Sequence, residues 1–172
     1  MTAESINFLK FNNPTLGELL FAEVLQEIVK FMGEQPDCVY RVMIGSDSNG
    51  IGSLDLVSVI AVHRVGNGGR YFWYRQSRSG IKTLRQKIYS EVEASLELAS
   101  IFLPAFQKSM SEMQTLEMPF DFQIHVDVGM NGETRSLVHE VTGMVTAYGF
   151  SVAVKPESQA ATTVADKHVH RS

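Results

Sequence analysis

Two apolar runs of this chain end in the same chemistry: Met43-Ile44-Gly45-Ser46-Asp47-Ser48 and Ile124-His125-Val126-Asp127-Val128-Gly129. Each reads as a buried strand that meets a carboxylate and then small residues. A buried strand tolerates an ionised Asp only when the charge is paired, hydrogen-bonded or bound to a metal. Two such carboxylates on neighbouring strands repel each other until cations arrive. Hard divalent ions such as Mg²⁺ favour a few carboxylates plus water and substrate phosphate. The pattern therefore points to metal-dependent phosphoryl transfer.

Further acids follow on predicted helices. Glu91 lies seven residues from Leu84 and three from Ile88, on the face that carries the buried stripe, whereas Glu93 and Glu97 face water. Near the C-terminus, Asp166 is a stronger candidate than Glu157. Glu157 stands near a helix start, where the dipole alone stabilises an acid. Lys155, Arg135 and His168 are candidates to neutralise a phosphate or protonate a leaving group. His168 and His170 do not share a helix face, and no Cys stands with them, so zinc is not expected.

The elements that must position these residues follow from periodicity. Thr15 and Glu18 read as a capping box opening an N-terminal helix over about 13–35, with Leu20, Val24, Ile28 and Phe31 inside. Strands follow at 40–47, 54–65 and 70–77, the last two joined by Gly66-Asn67-Gly68-Gly69. A helix is expected from about Thr83 to Phe102, closed by Pro104. A fourth strand alternates from Phe120 to Val128. Asn131 can cap the next helix, which buries Leu137, Val138, Val141, Met144, Val145 and Tyr148 and ends at Gly149. A fifth strand at 150–155 and a last helix from Ser158 complete the order.

Three strands, helix, strand, helix, strand, helix predicts an antiparallel meander followed by parallel crossovers. The expected fold is α/β, a five-stranded mixed sheet flanked by helices, with an extra N-terminal helix, in a single domain of 172 residues. If the first and fourth strands are neighbours, Asp47 and Asp127 lie side by side.

Composition narrows the partners. The chain is 44% hydrophobic and 20% charged, as in ordinary globular proteins, and no run of about 18 apolar residues predicts a membrane span. The start lacks the pattern of a secretory signal, and Cys38 stands alone, which together fit a cytoplasmic protein. A net charge of −4 argues against a protein that coats nucleic acid non-specifically. Six of the fifteen Lys and Arg nevertheless fall in the acid-free stretch from Arg70 to Lys87, beside Tyr71, Phe72, Trp73 and Tyr74. Arg75, Arg78 and Lys82 are therefore candidate phosphate contacts, together with Arg135 and Lys155.

The segments ending in Ile44-Gly45-Ser46-Asp47-Ser48 and His125-Val126-Asp127-Val128-Gly129, with Lys155-Pro156-Glu157-Ser158, resemble the YkuK family of uncharacterised bacterial proteins. The resemblance extends from about Phe11 to His168. It implies a ribonuclease H-like fold and an acidic site made of Asp47, Glu91, Asp127 and Asp166, and carboxylates so placed suit Mg²⁺ or Mn²⁺ in a two-metal arrangement. The resemblance brings no established reaction; the chemistry of such a cluster points to a metal-dependent nuclease, with nucleic acid as partner. Two other readings stand beside it. One is a ribonuclease H-like module that binds nucleic acid or protein without cutting. The other is a sugar-kinase-like phosphate binder using Asp127-Val128-Gly129-Met130-Asn131-Gly132-Glu133-Thr134-Arg135 as a phosphate loop.

Overall fold

The computed structural model describes residues 2, 4–50, 52–113, 118–129 and 135–169. Among them, strands β1 (Lys10–Asn13), β2 (Gly17–Leu20), β3 (Tyr40–Asn49), β4 (Gly52–Arg64), β5 (Gly69–Ile81), β6 (Phe120–Gly129) and β7 (Ser151–Lys155) form one sheet in the order β2-β1-β5-β4-β3-β6-β7. The helices are α1 (Phe21–Gly33), α2 (Leu84–Glu112), α3 (Val138–Ala147) and α4 (Gln159–Val169). β3, β4 and β5 form the antiparallel meander, and β6 and β7 add to it in parallel.

Seven strands replace the expected five because residues 10–20 form a hairpin. Asn13 Oδ1 accepts from the amides of Thr15 and Leu16 at 2.9 Å each, so Asn13-Pro14-Thr15-Leu16 is a side-chain-capped turn and not a helix start. Phe11 is fully buried against Phe21 and Tyr74, which holds β1 to β5. The helix begins at Phe21 instead, where the Glu23 carboxylate accepts from the Leu20 amide at 2.6 Å. Val24, Ile28 and Phe31 lie in the core as expected, while Leu20 stays exposed.

α2 also departs from expectation by running through Pro104 to Glu112. Proline removes the amide that would bond the Ser100 carbonyl. Ser100 is exposed, so water can serve that carbonyl, and Phe106 and Met110 beyond the proline are buried. Thr83 caps the start, accepting from the Gln86 amide. Leu137, just before α3, and Val138, Val141 and Val145 within it are buried, but Tyr148 at its end is exposed, contrary to expectation. Asn131, the expected cap, lies outside the described residues.

Alternation along the central strands decides the layers. Val42, Ile44, Ile60, Val62, Phe72 and Tyr74 face α1, α2 and α3 in the larger core. Met43, Val57, Val59 and Ala61 face α4 on the other side, with Ala161 and Ala165. α4 comes very close to β3. A Cβ built on Gly45 would stand 3.0 Å from Ala161 Cβ and 3.1 Å from the His125 carbonyl oxygen. His125, buried in β6, reaches the Ser158 carbonyl through Nδ1 at 2.9 Å and so ties the start of α4 to the sheet.

Candidate functional site

The parallel ladder between β3 and β6 keeps one offset from Tyr40–Phe120 to its last pair, Gly45–His125. Two residues further along each strand are Asp47 and Asp127. The β6–β7 register shifts in this same region, between His125 and Gly129. Parallel strands that part at their carboxyl ends leave a crevice there, which is where ligands of open α/β sheets bind. A cavity of about 280 Å³ occupies it, lined by Asp47, Glu91, Asp127, Lys87 and Lys155, with Leu84, Ile88 and Gly129.

Three of the four expected acids therefore share one cleft. Glu91, 7% exposed, comes from the inner face of α2 as its phase required. Ser48 Oγ donates to Glu91 Oε1 at 2.7 Å, and Lys87 Nζ stands 3.8 Å from the same oxygen. Burial pushes the Glu91 carboxyl from 4.5 up to about 7; the Ser48 hydrogen bond and Lys87 oppose the shift, while Asp47 and Asp127 add to it. Asp47 is raised too, chiefly by burial, with Asp166 and Asp127 contributing repulsion. Asp166 is exposed on α4 and does not line the cleft, but its charge reaches Asp47 and Lys155. Glu157 is exposed near the start of α4.

Lys155 occupies the centre of this charge. Its Nζ lies 2.6 Å from Asp127 Oδ1, an oxygen otherwise buried and without a well-angled hydrogen bond among the described residues. Its close contact with the Asp127 carboxylate holds the ammonium above its ordinary pKa, helped by the charges of Asp127, Asp47 and Asp166.

The other expected phosphate contacts are placed differently. Arg75 pairs with Asp55 and donates to the His168 carbonyl, and Arg78 bridges to Glu93 and Glu97 at 2.7 and 2.9 Å. Neither lines the cleft. Lys82 is exposed between β5 and α2, and Arg135 is exposed in a short 3-10 turn, Arg135–Leu137. His168 is buried and stacked on Trp73, with ring centroids 3.7 Å apart, so it is a packing residue of α4. The stretch Met130–Thr134 of the phosphate-loop reading lies outside the described residues, as does His170.

Lys87 and Ser48 escaped sequence reasoning. Lys87 could have been found by its i, i+4 spacing to Glu91, which brings both to one helix face. Ser48 gave no such signal, because only the strand–helix packing decides that it meets Glu91. Behind it lies a buried row of hydroxyls. Ser46, Ser58 and Tyr74 are in register across β3, β4 and β5. Ser46 Oγ is 2.8 Å from Ser58 Oγ and 2.9 Å from Ser95 Oγ, and Ser95 reaches the Glu91 carbonyl at 3.0 Å. These bonds satisfy polar groups that the α2–sheet interface removes from water.

The donor set suits a hard divalent cation: carboxylate oxygens, two with raised pKa values, and one buried Asp127 oxygen held by a displaceable ammonium. As the side chains stand, no three Asp, Glu, His or Cys residues among those described are grouped closely enough to hold one ion.

The family model named Ribonuclease H-like matches residues 23–170. The chain belongs to the ribonuclease H-like family. It is also 28% identical over 167 residues to "Uncharacterized protein YkuK" of Bacillus subtilis (strain 168), covering 91% of this chain and 95% of that protein. No solved structure gives a significant match. The family match agrees with the mixed sheet and its helices. Among the described residues, no helix is long and apolar enough to cross a membrane.

Proposed function

We propose that this protein is a Mg²⁺- or Mn²⁺-dependent nuclease that hydrolyses phosphodiester bonds. The observation that carries the reading is the convergence of Asp47, Glu91 and Asp127 from three separate elements on one cleft that also holds two lysines. Carboxyls raised by burial, as Asp47 and Glu91 are, concentrate in functional clefts. Within a ribonuclease H-like fold, nucleic acid is the fitting partner class, though fold alone never decides chemistry.

Asp47, Glu91 and Asp127 would hold the metal, with Asp166 on α4 adding its charge from outside the cleft. Such ions, when bound, would supply an activated water and neutralise the departing oxygen. The chain's own residues do the rest. Ser48 orients Glu91, and Lys87 offsets its charge. Lys155 is in reach of a phosphate entering over Asp127. Lys82 and Arg135, both exposed, are outer phosphate contacts, and Arg75 and Arg78 stand in ion pairs outside the cleft.

The test is cleavage of labelled RNA, DNA, hybrid and four-way-junction substrates with Mg²⁺, Mn²⁺ or EDTA. Metal-dependent cutting is expected, with Asp47→Asn and Asp127→Asn each slower by at least about a hundredfold, as when other charge-stabilising groups are removed. Equal cutting by wild type and both variants would reject the assignment. The second reading, a module that binds without cutting, is favoured by one observation: the acids as placed do not group around one point. It predicts nucleic-acid or protein binding with no cleavage and no Mn²⁺ protection against thermal unfolding.

A further inference from the structure

We infer that Lys155 is a built-in counter-ion that competes with the divalent cation for Asp127 and so sets the metal concentration at which the site loads. The inference rests on the metal-dependent reading above and concerns how this chain regulates that site.

The geometry is specific. Lys155 ends β7 opposite Gly129, and its side chain is directed at the crevice where the β3 and β6 carboxylates lie. Nζ is 2.6 Å from Asp127 Oδ1, a buried oxygen that has no well-angled hydrogen bond among the described residues. The carboxylates of Asp127, Asp47 and Asp166 all act on this one ammonium. It therefore stands where a cation shared by these acids is needed. A divalent ion and an ammonium on the same oxygen repel each other at contact distance, so each weakens the other's hold on Asp127.

The lysine is also free to leave. Its side chain is 56% exposed, against 30% for Asp127, so the four-carbon stem can swing the charge outward without opening the core. Lys87 does not share this role, because it stands 3.8 Å from Glu91 and does not contact Asp127. At low metal, Lys155 neutralises part of the acid cluster and keeps the cleft from repelling itself apart. When an ion takes Asp127, the ammonium is released into the same cleft, where a phosphate is the next anion it can meet. Loading and phosphate capture are thereby coupled through one side chain.

The experiment is Mn²⁺ titration of the full chain by calorimetry, with thermal unfolding in EDTA and in Mn²⁺ as a second readout. Four proteins are compared: wild type, Lys155→Met, Lys155→Arg and Lys108→Met, the last losing the same charge from an exposed position far along α2. Lys155→Met should bind Mn²⁺ about tenfold more tightly, the scale of one displaced ion pair. It should also melt lower than wild type in EDTA and gain more from Mn²⁺. Lys155→Arg, which restores a cation, should return toward wild-type affinity, and Lys108→Met should stay within about twofold of it. Lys155→Met binding no more tightly than wild type overturns the inference, as does an equal gain in Lys108→Met. If wild type binds Mn²⁺ and only the Lys155 effect is missing, the metal reading survives alone. If no protein binds Mn²⁺, both fall.

Discussion

Ser48 Oγ donates to Glu91 Oε1 at 2.7 Å across the interface between β3 and α2, one residue from Asp47 and on the opposite face of its strand. The bond joins the two elements that supply the buried acids of the cleft. It also favours the ionised form of Glu91 against the desolvation that raises its pKa. Ser48→Ala removes that donor and leaves a buried acceptor. The Glu91 pKa should then rise further, and the pH midpoint for Mn²⁺ binding should move up by about one unit, the scale of one charge-assisted hydrogen bond. Calorimetric titrations from pH 5.5 to 8.5 measure it. An unchanged midpoint would show that the serine only packs.

Glu91 itself gives a stability prediction. Its carboxyl lies at about 7 in the folded protein, chiefly through burial, against an ordinary 4.5. Below the ordinary value both folded and unfolded chains carry the proton, and the group opposes nothing. As pH rises from about 4.5 toward 7 the unfolded chain ionises while the folded chain keeps the proton, so stability is lost across that window and the loss is complete above it. Glu91→Gln removes this loss. Relative to that variant, wild type should weaken by of order 2 to 3 kcal/mol between pH 5 and 8 in EDTA, and Mn²⁺ should restore much of it. Denaturant midpoints across that range decide the matter; parallel curves for the two proteins would contradict it.

The contribution of sequence reasoning differs between parts of the molecule for physical reasons. The Asp47–Asp127 pairing was readable because the two strands alternate cleanly, and strand order constrains which become neighbours. Glu91 was readable from helical phase. The N-terminal hairpin was not, since Thr15 and Glu18 satisfy the capping-box pattern locally, while the decisive contact is Phe11 with Tyr74, 63 positions away. Pro104 misled in the same way: a local breaker was overridden by burial of Phe106 and Met110. The ion pairs of Arg75 and Arg78 were not readable, because their acidic partners, Asp55, Glu93 and Glu97, are remote in sequence.

The docking of α4 can be followed through Trp73, the chain's single tryptophan. His168 stacks on it at 3.7 Å with rings 14° from parallel, and Tyr71 flanks the imidazole at 5.8 Å. Such aromatic contacts contribute about 0.5–1.5 kcal/mol beyond area burial. His168→Ala should brighten tryptophan emission, because a stacked imidazole quenches indole. Amide exchange across α4 should quicken while exchange in β3 and β4 stays protected. No change in α4 exchange would place the anchor of this helix elsewhere.

Gly45 tests whether α4 must lie this close to the acid cleft. Its position allows a helix to approach β3 with Ala161 packed against bare backbone, two residues before Asp47. Gly45→Ala places a methyl at 3.0 Å from Ala161 Cβ and 3.1 Å from the His125 carbonyl, so helix and strand must separate by a few tenths of an ångström. The expected loss is about 1–3 kcal/mol of stability, the usual cost of overpacking a tight interface. Because Asp166 rides on α4, the same shift should weaken Mn²⁺ protection beyond the loss of stability alone. Gly45→Ala combined with Ala161→Gly relieves the closest contact and should recover both quantities in part. Recovery of stability without recovery of Mn²⁺ protection would separate Asp166 from the metal site and leave Asp47, Glu91 and Asp127 as its only acids.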